Sequence, residues 1–187
     1  MKRLVVFLWM ALFSSVFALS AEAQTFGGPD FMKGKKVVGG NINAGISGGC
    51  FNIGLAPQFG YRLTRSLEVG TRMGYDFYHF YNNYVYGSYY CHLFSGALYA
   101  NYEIIRGVYV HVEDEETCLL IRGKAVNPTE PNWSNSVFVG AGYRQYSGSG
   151  AFIYYAILYN LSWKYDYTGN SPYASPYVIR VGYCFSF

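Results

Sequence analysis

From residue 37 to the C-terminus the chain alternates apolar with small or polar residues, one for one, in segment after segment. In one segment Phe51, Ile53, Leu55, Pro57, Phe59, Tyr61 and Leu63 share a face, and Asn52, Gly54, Ala56, Gln58, Gly60 and Arg62 share the other. The next segment sets Leu67, Val69, Thr71, Met73, Tyr75 and Phe77 against Glu68, Gly70, Arg72, Gly74 and Asp76. Further on, Val137, Val139, Ala141 and Tyr143 oppose Phe138, Gly140, Gly142 and Arg144. Ile153, Tyr155, Ile157, Tyr159, Leu161 and Trp163 oppose Phe152, Tyr154, Ala156, Leu158, Asn160 and Ser162. The last segment sets Tyr177, Ile179, Val181, Tyr183, Phe185 and Phe187 against Val178, Arg180, Gly182, Cys184 and Ser186. Successive side chains of a strand point to opposite faces, so a period of two reads as β-strand with one apolar face. Segments at 37–47, 89–102 and 107 to about 117 bring the expected strands to eight. The fifth is irregular: Val108, Val110 and Val112 keep to the apolar face, but Asp114 and Glu116 then fall on it. Either the strand leaves the apolar layer there or a bulge resets its parity.

Turn positions give the pairing. A turn centred on Arg65 puts Arg62 opposite Glu68, Gln58 opposite Arg72 and Tyr61 opposite Val69, so charge meets charge and apolar meets apolar. A turn centred on Gly148 pairs Tyr143 with Ile153, Val139 with Ile157 and Gly142 with Tyr154. Connections near 64–66, 105–106 and 146–150 are short. Those at 81–87, 122–135 and 165–176 are longer and rich in Asn, Pro and Ser; only Gly48-Gly49 is a short link on that side. Short turns at one end and long loops at the other match a membrane-spanning β-barrel. Pro57 removes a ladder hydrogen bond of a closed barrel unless it sits at a bulge, and is expected near the long-loop end, where a bulge is tolerable.

The less apolar face identifies the surrounding solvent. A soluble sandwich would carry Lys, Glu, Thr and Ser there, whereas Gly, Ala and Tyr dominate this chain's. Charged residues are only 13 % of the 187, against roughly 25 % in an ordinary domain. Aromatic residues make up 20 %. On the apolar face they gather at the strand ends, with Tyr75, Phe77, Trp163 and Tyr177 at one end and Tyr61, Tyr143, Tyr183 and Phe187 at the other. Two such girdles mark the two interfaces of a bilayer. In lipid every backbone group must find a partner, and a closed barrel is the sheet that provides one. The expected fold is therefore all-β, an eight-stranded antiparallel up-and-down transmembrane β-barrel over 37–187. Its lumen is filled by side chains, with Arg62, Glu68, Arg72, Asp76, Arg144 and Arg180 as an inward charge network. A soluble exported β-sandwich or lipocalin-like binder is the competing architecture.

The N-terminus reads as an export signal: Met1-Lys2-Arg3, an apolar stretch from Leu4 to Leu19, and the small-x-small site Ala21-Glu22-Ala23. Residues 1–23 are expected to be a cleaved signal peptide and 24–36 a flexible periplasmic lead-in. Without Lys2, Arg3 and Glu22 the chain is near neutral, and its one basic cluster is Lys33, Lys35 and Lys36, which argues against a nucleic-acid partner. The four cysteines, Cys50, Cys91, Cys118 and Cys184, match no metal-ligand spacing. Export makes disulfides possible, and a Cys91–Cys118 bridge is conceivable beside four free thiols.

The final residues, Arg180-Val-Gly-Tyr-Cys-Phe-Ser-Phe187, resemble the C-terminal assembly signal of bacterial outer-membrane barrels, with Arg180, Gly182, Phe185 and Phe187 at the pattern positions. Over 37–187 the chain is similar to the small eight-stranded outer-membrane β-barrel proteins of Gram-negative, Bacteroidetes-type bacteria. Gly140-Ala-Gly-Tyr-Arg-Gln145 and the Ser171-Pro-Tyr…Pro-Tyr-Val-Ile-Arg180 stretch point to a branch without an assigned activity. The resemblance implies a cell outer-membrane location, insertion by the barrel-assembly machinery, and contact with outer-membrane lipid and lipopolysaccharide. It implies no single activity, no cofactor and no particular surface partner.

Candidate chemistry is sparse. Some barrels of this size modify lipid A with His and Ser or Asp near the outer rim, where this chain has Asp76, His79, Ser88, His92 and Ser95. A base must reach its nucleophile, and the alternation puts His92 outward and Ser95 inward, so no catalytic residue is expected. The Glu113–Glu116 run lacks a Gly-containing ligand loop and reads as a solvated acidic rim rather than a calcium site. The expected function is a structural or surface-interaction role through the long loops. A narrow passive pore or small-ligand barrel comes second, a lipid A-modifying enzyme third.

Overall fold

The computed structural model describes residues 34–47, 49–83, 87–123, 130–147, 150–164, 172–173 and 175–187. The expected signal peptide and most of the lead-in lie outside them. Eight strands follow in order: β1 Lys36–Ser47, β2 Cys50–Arg62, β3 Leu67–Asn83, β4 Gly87–Ile105, β5 Val108–Gly123, β6 Asn132–Tyr146, β7 Ala151–Asn160 and β8 Tyr177–Ser186. Each pairs antiparallel with the next and β8 returns to β1, closing a barrel. Lys36, expected in the lead-in, already belongs to β1, opposite Tyr61.

Val37 pairs with Gly60, and the partners carried on through Gly70, Tyr99, Glu113 and Phe138 arrive at Asn160, the last residue of β7. A line across the strands that starts near the bottom of β1 thus ends at the top of β7. The strands are steeply tilted, as closing eight of them requires. Alternation is kept throughout. Ile42, Ile157 and Ile179 are 73 %, 63 % and 74 % exposed on the outside, while Phe138 and Leu158 are buried inside.

The β2–β3 ladder has the expected register, with Arg62 opposite Glu68 and Gln58 opposite Arg72. The β6–β7 register differs. Tyr143 lies opposite Tyr155, not Ile153; Val139 opposite Tyr159, not Ile157; and Gly142 opposite Ala156, not Tyr154. The turn closes one residue later than expected, with Ser147 N–H donating to Ala151 C=O and Gly150 at φ 83°. The slip is even, so every side chain stays on its expected face.

Two other expectations change and one open choice is settled. Parts of two expected long loops, 81–87 and 122–135, are strand: β3 runs to Asn83 and β4 starts at Gly87, while β5 extends to Gly123 and β6 starts at Asn132. Pro57 sits mid-strand without a bulge. Leu55↔Tyr75 and Gln58↔Arg72 stay in one register, with a gap in the ladder between them. In β5 the register with β4 shifts between Val108 and Tyr109, opposite Glu103/Ile105, and then runs unbroken from Tyr109 to Gly123, so no bulge resets its parity at the acidic run. Asp114 and Glu116 face outward, both holding the Asn135 side-chain amide, at 2.7 and 3.2 Å. The strand leaves the apolar layer there.

The four cysteines are free. Cys91 is buried on the inner face, whereas Cys118 takes its place on the outer face between Phe94 and Trp133. Opposite faces of one wall cannot be bridged, which removes the Cys91–Cys118 pair.

Candidate functional site

Inward glycines give the lumen its shape. A Cβ at Gly142 would strike the Tyr109 ring, one at Gly182 the Tyr154 ring, and one at Gly70 the Tyr99 ring. Each tyrosine therefore lies flat across a neighbouring strand and fills the interior. Gly182, expected from the sequence to be part of a C-terminal assembly signal, has this packing role. Phe185 and Phe187 of the same pattern point outward, 51 % and 67 % exposed. Phe187 exchanges backbone hydrogen bonds with Lys36 at the closing seam, at 2.8 and 3.0 Å.

Between these rings the charges form two knots. In the lower one, toward the short turns, Glu68 faces Arg144 Nη1 at 3.0 Å and Arg62 Nε at 3.6 Å. It also accepts from the Tyr99 hydroxyl and Asn101 Nδ2 at 3.3 and 3.2 Å. Glu103 accepts from the Tyr146 hydroxyl at 2.8 Å and lies 3.5 Å from Arg62. Arg144 lies over the faces of Tyr109 and Phe152, 4.6 and 5.2 Å from the ring centroids. In the upper knot Arg72 donates to Glu113 at 2.7 Å and to Glu115. Arg180 donates to Glu113 and has Glu115 at 3.7 Å. The Tyr173 hydroxyl, from the β7–β8 connection, donates to Glu115 and caps this knot from above.

His111 joins the two. Asn101 gives its N–H₂ to Glu68, so its oxygen faces His111 Nδ1 at 2.6 Å, while His111 Nε2 faces Glu113 at 3.2 Å. Both ring nitrogens thus face side-chain oxygens, one in each direction. Each knot sets two arginines against two glutamates, the arrangement that makes buried charge tolerable.

Five of the six expected lumen residues, Arg62, Glu68, Arg72, Arg144 and Arg180, fall in these knots. Asp76 does not: among the described residues it forms no ion pair, and it accepts from Asn43 Nδ2 at 3.2 Å. Glu103, His111, Glu113, Glu115 and Tyr173 were missed. The expected solvated acidic rim is divided by the strand period: Asp114 and Glu116 face out, while Glu113 and Glu115 are 1 % and 0 % exposed in the lumen. Carrying the alternation of Tyr109 and His111 through the acidic run would have found both.

Between the knots lies a cavity of about 20 Å³, bordered by Gln58, Tyr154 and Ala156 among others. That is room for about one water. A second space, about 240 Å³, opens at the long-loop rim between β6 and the chain that follows β7. As for the rim histidines, His92 lies outward against the Tyr75 hydroxyl at 3.0 Å and His79 stacks on Tyr90 at 4.6 Å. Ser95 lies opposite Gly74 on the inner face.

No family model and no curated protein matches the chain. Among solved structures it is similar to the N-terminal β-barrel domain of Pseudomonas aeruginosa OprF, at 13 % identity and a TM-score of 0.44. The match covers 83 % of this chain and 98 % of that one.

Proposed function

We propose that this chain is an integral outer-membrane β-barrel with a closed lumen, acting through the surface at its long-loop end rather than as a conduit or an enzyme. One observation carries the reading: a closed barrel that turns most of its strand charges inward and surrounds itself with exposed Ile, Leu, Val, Phe and Tyr. Ile42, Leu55, Met73, Val112, Ile157 and Ile179 are each between 51 % and 74 % exposed, and they come from β1, β2, β3, β5, β7 and β8 in turn. A soluble protein rarely leaves more than a few hundred Å² of contiguous apolar surface in water, and this band encircles the molecule. Hydrocarbon is the solvent that removes the penalty. The outward aromatics Tyr143, Tyr183 and Phe185 below and Tyr75, Tyr159 and Tyr177 above frame the band. The C-terminal pattern ending in Phe187 supports insertion by the barrel-assembly machinery of a Gram-negative cell, with lipopolysaccharide as the outer-leaflet neighbour.

Cell fractionation with a heat-modifiability gel tests this. The protein should stay with the outer membrane, need detergent for extraction, and migrate differently before and after boiling. Recovery from the periplasm without detergent would overturn the reading and favour a soluble exported binder.

A further inference from the structure

We infer that the upper half of the β1–β8 seam is a lateral gate. Its two strand edges part above Gly40 and close on each other in register, and when parted they open the upper lumen sideways toward the outer leaflet. This rests on the outer-membrane reading above and goes beyond it, since the charge knots keep the lumen shut from below in both states.

The seam is the shortest ladder of the wall among the described residues. β1 has 12 residues and β8 has 10, yet only 37–40 pair with 186–183. Both strands are complete on their other sides: β1 pairs with β2 up to Ser47, and β8 with β7 up to Tyr177, without a slip. Below the four pairs Lys36 and Phe187 exchange backbone hydrogen bonds at 2.8 and 3.0 Å. Alternate residues of a strand turn their backbone groups to the same neighbour. Those of Ile42, Ala44 and Ile46 therefore face β8, and those of Tyr177, Ile179 and Val181 face β1. Tyr177 N–H is held by Ser175 Oγ at 3.1 Å; for the rest, among the described residues, no strand pairs with them on that side. Exposure marks the same gap. Ile46, Ile179 and Ile42, at 79 %, 74 % and 73 %, are the three most exposed large apolar side chains among the described residues, and all three border it. The inward Asn43 is exposed as well, whereas Asn41 beside the fork is buried.

Glycines fix the fork. A Cβ at Gly39 would strike the Tyr183 carbonyl and Cys184 of β8, and one at Gly40 the Ala56 carbonyl and Pro57 of β2. β1 is thus pinched between both neighbours at the point where it leaves β8. Pro57 stands opposite Gly40, and there the ladder of β2 with β3 is interrupted, between Leu55 and Gln58. The fork continues into the wall as a crease across two strands, along which the sheet above bends with few hydrogen bonds to break.

Backbone groups in hydrocarbon need partners, and acyl chains offer none. Each edge has its complement in the other. Continuing the existing register sets Ile42 opposite Val181, Ala44 opposite Ile179 and Ile46 opposite Tyr177, all outward, with Asn43 opposite Arg180 and Gly45 opposite Val178, both inward. The faces match at every pair, so closure needs no slip. Closed, the edge groups are paired within the chain and neither strand is left as an open edge. Parted, they leave a slot from Gly40 up to Tyr177 of the upper aromatic frame, between the lipid and the lumen around the upper knot.

The test is a cross-link across the closed seam. G45C/V178C places two thiols at a pair that faces inward and lies between hydrogen-bonded positions, where antiparallel strands come closest. The pair is made in a C50S/C91S background, which removes the two native thiols at that end of the inner face, and the protein is folded into lipid vesicles. Oxidation with copper phenanthroline should join it, as read by peptide mapping, at least tenfold faster than the offset pair N43C/V178C. An added N43W reports the parted state: chain-brominated lipid should quench its emission, and forming the 45–178 bond should remove at least half of that quenching. Heat-modifiability is read on each sample. If G45C/V178C does not fold, A44C/I179C, outward on the same strands, takes its place with a short bifunctional methanethiosulfonate, against the offset pair I42C/I179C. Absence of the cross-link in protein that retains the gel shift overturns this inference, as does an equal rate from the offset pair. Quenching that the cross-link leaves unchanged does the same, and all three results leave the membrane reading standing. Loss of the gel shift in the unsubstituted protein would strike the membrane reading itself.

Discussion

Glu113 is the residue on which the lumen turns. It meets Arg72, Arg180 and His111 together, while Glu115 shares only the two arginines. Replacing it by Gln keeps the shape and removes the charge, leaving two buried guanidinium groups with one carboxylate. Removing one partner of a buried ion pair costs about 3–5 kcal/mol. E113Q should therefore unfold at markedly lower urea concentration in a gel-shift titration, and an unchanged midpoint would contradict the role given to the knot. The same substitution at outward-facing Glu116 should shift the midpoint little. This contrast between residues three apart was legible in principle, since the period of two alone separates Glu113 and Glu115 from Asp114 and Glu116. It was obscured because four consecutive acids read as a solvated run. Asp76 shows the opposite error: its inward parity is right, but its height puts it beside Asn43 and above the knots, and parity carries no information on height.

Among the elements, β2 is the one with a built-in weakness. Pro57 has no N–H, and the β2–β3 pairing is interrupted between Leu55 and Gln58 while β1 pairs on through Gly40↔Pro57. The missing donor thus points toward β3. P57V restores an N–H on an outward-facing, strand-favouring residue, and should stabilise the barrel by about 0.5–1.5 kcal/mol, the net worth of one hydrogen bond. A chemical-denaturation midpoint that falls instead would mean the ring packs in a way that the ladder does not require. Strand identity and facing were legible for nearly every element, because burial on one side forces the pattern into the sequence. Strand ends were not. Residues 81–83 and 118–123 continue their strands past the point where the one-for-one alternation of apolar with small or polar residues stops. The β6–β7 register was missed for a related reason: both choices keep the faces, and only the turn around Gly150 separates them.

For the whole molecule, two knots, three flat tyrosines and the Tyr173 cap fill the lumen around an internal space of about 20 Å³. That admits a water and no hydrated ion. Purified protein in planar bilayers should show no reproducible conductance steps. Discrete steps that survive washing and repeat between preparations would return the account to the narrow-pore reading.

Everything at this scale depends on what touches the outer wall. Nitroxide labels at Ile53, Ile157 and Val181, in protein folded into lipid vesicles, report that directly through their relaxation by oxygen and by a water-soluble nickel complex. The account predicts high oxygen and low nickel accessibility at all three sites, with labels at Arg65 and Arg106 in the short turns showing the reverse. Low accessibility to both reagents at Ile53, Ile157 and Val181, as inside a protein core, or high accessibility to nickel, would contradict it.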